Sequence, residues 1–168
     1  MDSESVIITG FGAIGKTTFA KKYPKDVIDM ESGYYKWNNL GFENIPYEKL
    51  KGTSLREANP EWPANYHNAV AEMQGKYRYI LTSMHWHLLE YLENEDIPYY
   101  LAYPSEDSGP ILEQRCYERG NNKKFTDKMM VNFIEWRKII PKYHPVNILE
   151  IKQYEFLENT VFREFGTL

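Results

Sequence analysis

The sequence predicts an α/β domain in three layers, a mostly parallel five-stranded sheet with helices on both faces. Three observations carry that prediction. Short apolar runs of strand length alternate with segments of helical period along the 168 residues. The first run, Val6-Ile7-Ile8, ends in Thr9-Gly10 and opens a glycine-rich loop ahead of a helical segment. No internal repeat, low-complexity tract or long linker breaks the alternation, so residues 1–168 read as one domain.

The elements follow in order. A helix is expected from about Gly15 to Tyr23, with Pro24 just past its end. Val27-Ile28 is a second short strand that closes on Asp29. Residues 32–60 show no clear period and carry Tyr34, Tyr35, Trp37 and Phe42, then Gly52 and Asn59-Pro60; so long an irregular stretch is often functional. Trp62-Pro63 opens a helix with Tyr66, Ala69, Val70 and Met73 on one face. Tyr77 to Ser83 reads as a strand, His85 to Leu92 as a helix, and Ile97 to Tyr103 as a strand stopped by Pro104. Ile111 to Arg119 is helical and ends at Gly120-Asn121. Thr126 to Ile140 carries an apolar stripe at Met129, Phe133, Trp136 and Ile140 before Pro141. Asn147 to Ile151 is the last strand, and Phe156 to Phe165 the last helix. Sheets of this kind bind ligands at the carboxyl ends of their strands, which points at Gly10, Asp29, Ser83 and Tyr103.

Composition narrows the partners. Hydrophobic residues make up 42% and charged residues 26%, an ordinary globular mixture, and the net charge of −4 provides no overall basic field for a nucleic-acid polymer. Small anionic ligands need only local donors and stay open. The single cysteine, Cys116, cannot form an internal disulfide and suits a reducing cytoplasm; it reads as a packed small residue rather than a nucleophile. The start Met1-Asp2-Ser3-Glu4-Ser5 is acidic and polar, and no apolar run reaches membrane-spanning length. The expectation is a soluble, cytoplasmic protein without membrane partners, with a homodimer left open.

The loop gives the chemistry. Gly10-Phe11-Gly12-Ala13-Ile14-Gly15-Lys16-Thr17 satisfies G-x-x-x-x-G-K-[ST] between a strand and a helix, the context the P-loop motif requires. Glycines let backbone N–H groups turn inward around a phosphate, and the following helix presents its positive end. Lys16 is expected to reach the β- and γ-phosphates of ATP, and the Thr17 hydroxyl to hold Mg²⁺, with Thr18 completing the cradle. The fold expectation thereby sharpens to a P-loop NTPase fold. The same residues also spell Gly10-x-Gly12-x-x-Gly15, the dinucleotide fingerprint, with Asp29 where a ribose-binding acid belongs. Lys16-Thr17-Thr18, the short chain and an arginine pair downstream favour the P-loop.

That pair is Arg115 and Arg119, four apart on one predicted helical face and followed by Gly120-Asn121-Asn122-Lys123-Lys124. Arginines on a lid, here about residues 105–125, stabilise the charge that spreads over a transferring phosphoryl group. The plain alternative is a solvated face paired with Glu113 and Glu118.

On Gly10 to Thr18, Asp29 and Arg115-x-x-x-Arg119, the chain resembles the P-loop nucleoside and nucleotide kinases, and within them the small kinase-like ATP-binding proteins of phages and prophages of Gram-positive bacteria. The resemblance implies an ATP- and Mg²⁺-dependent phosphotransferase whose acceptor, a nucleotide or nucleoside, binds through about residues 32–60. The chain departs from that pattern at the third strand, which ends Thr82-Ser83 without the usual Mg²⁺-organising acid.

The acceptor site is expected to include Ser32, Tyr35, Trp37, Arg56, Ser83 and His85. Asp29 or Glu31 can act as a base, which suits a hydroxyl acceptor, or as an outer-shell Mg²⁺ ligand, with Asp29 joining Thr17 at the metal. Arg56, Lys36 and the lid cations suit a nucleoside monophosphate, the favoured reading. Tyr34, Tyr35 and Trp37 either stack on a base or pin the segment to the core. His85-Trp86-His87 places two histidines off a common helical face, so metal binding is not expected, although His85 can point into the site. A nucleotide-binding regulator with little transferase activity, a sugar or alcohol kinase, and a dinucleotide-binding module stand as alternatives.

Overall fold

The computed structural model describes residues 4–38 and 44–168. Phe42, counted among the aromatics of the irregular stretch, lies outside the described residues.

Five strands build the sheet: β1 (Val6–Gly10), β2 (Val27–Met30), β5 (Tyr79–Ser83), β6 (Tyr99–Pro104) and β7 (Ile148–Ile151), in spatial order β2-β5-β1-β6-β7. Every pairing among them is parallel, so the sheet is wholly rather than mostly parallel. Parallel strands are covered on both faces, which is why they read as continuous apolar runs. Ile8, Ile80, Leu81, Leu101 and Ala102 are all fully buried. Truncating one of these isoleucines or leucines to alanine costs about 2–5 kcal/mol.

The helices are α1 (Lys16–Lys22), α4 (Ala64–Glu72), α5 (Trp86–Asn94), α6 (Gly109–Glu118), α7 (Lys123–Ile139) and α8 (Leu157–Phe165). Phe19 of α1 meets Phe162 of α8 at 5.8 Å and Tyr79 of β5 at 6.2 Å, which places α1 and α8 on one face of the sheet. On the other face Phe133 of α7 stacks on Tyr103 of β6 at 5.8 Å, and the Tyr103 hydroxyl donates to the Phe133 carbonyl. The three-layer α/β arrangement expected from the alternation is therefore present.

Residues 32–60 hold more structure than their lack of period suggests. The described residues among them form two one-turn helices, α2 (Gly33–Lys36) and α3 (Tyr47–Leu50), and two two-residue strands, β3 (Trp37–Asn38) and β4 (Glu57–Ala58). β3 and β4 pair antiparallel as a separate small sheet. Elements this short carry no readable periodicity.

The strand order positions the site. β1 lies between β5 and β6, with Gly10 in register with Ser83 on one side and Ala102 on the other. β2 does not touch β1; β5 separates them. In the dinucleotide-binding order the first two strands are neighbours, so this topology departs from that alternative. Among the described residues no helix is long and apolar enough to cross a membrane.

Candidate active site

The loop after β1 is held from three sides. Phe11 N–H donates to the Ala102 carbonyl at 3.2 Å, Leu157 N–H to the Ile14 carbonyl at 2.8 Å, and Arg115 Nη1 to the Ala13 carbonyl at 3.4 Å. The Phe11 ring packs on Tyr103 at 5.4 Å and Phe133 at 5.8 Å. Ala13 and Gly15 both take left-handed conformations, with φ of 59° and 95°. At Ala13 that costs about 1–2 kcal/mol, strain of the kind stored where backbone must wrap a ligand. Gly15 has a second constraint, because a Cβ there would lie 2.9 Å from the Phe156 ring.

Lys16 is only 8% exposed and donates to the carbonyls of Gly10 at 2.9 Å and Phe11 at 2.7 Å. Burial pushes its pKa down, while Asp29 and Glu31 push it back up. The next residue, Thr17, donates its hydroxyl to Asp29 Oδ2 at 2.6 Å. Asp29 Oδ1 is buried with no partner. Burial raises the Asp29 pKa, against the pull of Lys16 and the Thr17 hydrogen bond. The Thr17 hydroxyl and the Asp29 carboxylate, one of whose oxygens has no partner, are hard oxygen donors of the kind that suit Mg²⁺.

The end of β5 carries hydroxyls where an acid was missed in the sequence. Ser83 Oγ accepts from Ser32 N–H at 3.1 Å, and Tyr66 Oη accepts from Ser83 N–H at 3.0 Å while donating to the Met30 carbonyl at 2.6 Å. His85 Nε2 meets Ser32 Oγ at 2.8 Å. Burial, then the neighbouring His87, drives the His85 pKa down to about 3. His85 is therefore a neutral positioning group for Ser32 at physiological pH. It precedes α5 in extended backbone, φ −138°, and this turn stacks its ring on His87 at 5.2 Å. His67 Nε2 lies 3.4 Å from His87 Nδ1. Among the described residues no group of three or more His, Cys, Asp or Glu is placed to hold a metal ion.

One cavity of about 860 Å³ joins these parts. Pockets that bury one drug-sized ligand span about 300–1,000 Å³, so the space is ample for a ligand with an extended polar chain. Part of its wall is the loop after β1 with Lys16, joined by Lys21, Arg115 and Phe156. Another part comes from the segment between β2 and α4, with Glu31, Ser32, Trp37, Tyr47, Lys51 and Arg56. Arg119, Lys124, Lys128, Met129 and Trp136 lie along the side formed by α6 and α7. Nine lysines and arginines line the cavity against three glutamates, in a chain whose net charge is −4. The positive field sought in vain in the whole composition is local, focused in a cleft.

Most of the expected site residues come together here, with corrections. Tyr35 does not line the cavity: its ring packs on Tyr66 at 5.3 Å, against the core. Tyr34 stacks on Tyr47 at 4.5 Å and is 62% exposed. Trp37 does line the cavity, and the Arg56 guanidinium lies over its ring at 4.7 Å. Ile14 is buried and contributes its backbone, not a cavity-lining side chain. Asp29 acts through Thr17 rather than from the cavity wall. Cys116 is fully buried, and burial raises its thiol pKa, as suits a packed residue.

Arg115 and Arg119 both line the cavity, at the last turn and just past the end of α6. Arg115 lies over the Phe156 ring at 4.1 Å and donates to the Glu155 carbonyl at 3.2 Å. Arg119 donates to Asn121 Oδ1 at 3.1 Å. Within the expected lid, residues 105–125, a 3₁₀ turn (Glu106–Ser108) leads into α6, and the turn after α6 packs on α3. Tyr47, Glu48, Lys51, Asn121 and Phe156 were not singled out in the sequence. They sit in one-turn elements or loops, where neither period nor motif marks them.

No known family and no curated protein matches the chain. Solved structures are similar in shape. A gluconokinase from Sinorhizobium meliloti 1021 is 14% identical, with a TM-score of 0.48, over 95% of this chain and 87% of that one. A shikimate kinase from Bacteroides thetaiotaomicron is 15% identical, with a TM-score of 0.47, over 87% and 85%. An uncharacterized protein from Eubacterium ventriosum ATCC 27560 is 12% identical, with a TM-score of 0.48, over 98% of both chains. At these values the likeness is one of general shape, and the reading of function rests on the chain's own residues.

Proposed function

We propose that the chain is an ATP- and Mg²⁺-dependent phosphotransferase acting on a small acceptor, a nucleoside monophosphate or a nucleoside. The observation that carries this reading is the shared cavity: a complete P-loop, a second cationic and aromatic wall and Arg119 all line one space. A site that only bound ATP has no use for Lys36, Lys51 and Arg56 beyond the phosphate cradle.

Lys16 would leave its two loop carbonyls for the β- and γ-phosphate oxygens. Thr17, backed by Asp29, would hold Mg²⁺, which when bound would neutralise phosphate charge. Arg115 and Arg119 would stabilise charge on the transferring group. Arg56, its guanidinium 4.7 Å from the centre of the Trp37 ring, offers planar donors to an acceptor phosphate, and its Nε is buried without a partner. Trp37 offers a face for a base. Glu31 lines the same wall and would orient an acceptor hydroxyl where the acceptor is a nucleoside.

One observation favours a second reading, a nucleotide-binding regulator. β5 ends in Thr82-Ser83, so no second carboxylate backs the Mg²⁺ position there. An ADP-release assay with MgATP against nucleosides, nucleoside monophosphates and simple sugars separates the two. Stimulation by one nucleotide or nucleoside supports the transferase. A flat panel with MgATP still bound favours the regulator, and stimulation by a sugar alone moves the acceptor class.

A further inference from the structure

Asn121 is 5% exposed, yet its whole side-chain amide is engaged. Its Oδ1 accepts from Arg119 Nη2 at 3.1 Å. Its Nδ2 donates to Glu48 Oε2 at 2.7 Å and to the Glu48 carbonyl at 3.3 Å. Glu48 in turn takes Lys51 Nζ on Oε1 at 3.1 Å. Burial alone would raise the Glu48 pKa; Lys51, Arg119 and the Asn121 amide outweigh it and hold the carboxyl below its usual range. The contact joins segments 73 residues apart, the turn after α6 and the α3 part of the cavity wall.

The seating is close. Asn122 Nδ2 donates to the Lys51 carbonyl at 2.9 Å. Gly52 has φ +76°, and a Cβ there would lie 2.6 Å from Asn122 Oδ1. Closing the turn does not by itself need the Asn121 side chain. Backbone bonds from Gly120 N–H to the Tyr117 carbonyl at 2.9 Å and from Asn121 N–H to the Cys116 carbonyl at 3.1 Å already terminate α6. The amide therefore spends its hydrogen bonds on linking Arg119 to Glu48.

We propose that Asn121 is a positioning residue that makes the placement of Arg119 conditional on the acceptor wall: Glu48 and Lys51 hold Asn121, and Asn121 holds Arg119. The inference rests on the phosphotransferase reading above. An arginine on a flexible stem stabilises a transition state only when placed, and a misplacement of about 1 Å can cost about 100-fold. With this link, an acceptor that orders residues 47–52 also fixes Arg119, so ATP is spent on the acceptor and not on water. Linkage is reciprocal: MgATP engaging Arg119 must also order residues 47–52.

Two measurements on the whole chain test this. The first is ADP release from MgATP with and without the nucleoside monophosphate or nucleoside that stimulates it most in the panel above. The second is amide hydrogen exchange with and without MgATP, read at residues 10–18 and 47–53. In the wild type, MgATP should protect both segments. Asn121→Ala should lower acceptor-stimulated kcat by about 10- to 100-fold with both KM values little changed, and should lose the protection of 47–53 while keeping that of 10–18. Glu48→Ala cuts the link from its other end and must lose the same protection, which keeps the test open should Asn121→Ala fail to fold. A wild-type stimulation ratio in Asn121→Ala overturns the inference. So does protection of 47–53 that survives either substitution, or wild-type protection confined to 10–18. Wild-type chain that gains no protection at 10–18 overturns the phosphotransferase reading itself, and the inference with it.

Discussion

The Thr17 hydroxyl donates to Asp29 Oδ2 at 2.6 Å, tying the first turn of α1 to the end of β2 across the base of the phosphate loop. The carboxylate's other oxygen is buried with nothing to bond. Such a group is costly in the empty protein and useful once a cation arrives. A carboxyl whose folded-state pKa is raised favours the folded chain below the ordinary aspartate range. That contribution is lost as pH rises through the folded-state value. At neutral pH ionised Asp29 is therefore a burden, and Asp29→Asn, which keeps an oxygen for Thr17, removes it. Thermal melts should show a higher Tm for ligand-free Asp29→Asn, by about 2–4 °C for each kcal/mol relieved. Turnover should fall on the order of 100-fold, and Mg²⁺ should no longer raise the Tm in the presence of ATP.

Lys16 is stored in the loop, its amine on two backbone carbonyls and its charge opposed by burial. Lys16→Ala should leave the far-ultraviolet circular dichroism unchanged and reduce phosphoryl transfer by about 100- to 1,000-fold. Full activity in that variant would show that the loop is not the donor site.

Arg56 and Trp37 form a cation–π pair at 4.7 Å on the cavity wall. Arg56→Ala should raise the acceptor KM about 10- to 100-fold, the worth of one hydrogen bond to a charged group. The ATP KM should stay put, because Arg56 belongs to the segment between β2 and α4 and not to the loop or the helix that follows it. Arg56→Lys should recover little, since a lysine offers no planar fork. An equal rise in both KM values would remove Arg56 from the acceptor wall.

The histidines set the acid side of stability. Burial drives His85 to about 3 and His87 to about 4, and lowers His67 as well. Lys36 and Lys16 add to the shift at His85. Unfolded, these rings protonate near pH ~6.5. The stability contributed by their neutral forms is present above that value and is lost as pH falls toward the folded values. Asp29 works in the opposite sense over part of this range. Tm should therefore fall as pH drops from about 6.5 to 4, and His87→Gln should flatten that fall. The pH–rate profile should carry no inflection from His85 between about pH 5 and 8.

The sequence was informative where local chemistry and local pattern coincide. Five strands were legible because each is a short apolar run ended by a turn residue, and the loop because Lys16-Thr17 must follow its glycines directly. The acceptor wall was only half legible. Arg56 and Trp37 could be guessed from type, but Tyr35 could not be told from a ligand-stacking ring, since its partner Tyr66 lies on α4. The link from Asn121 to Glu48 left no trace in the sequence, because an Asn after a Gly reads as a helix stop. His85 and His87 were expected to diverge as helical residues. They stack because α5 starts at Trp86, one residue after His85.

The most direct test of the central claim is transfer of label from γ-³²P-ATP, with Mg²⁺, to a nucleoside monophosphate or nucleoside, run beside Lys16→Ala. The account predicts a labelled nucleotide product from the wild type and almost none from the variant. ATP that binds and stays intact, or label released only as inorganic phosphate whichever acceptor is added, would contradict it.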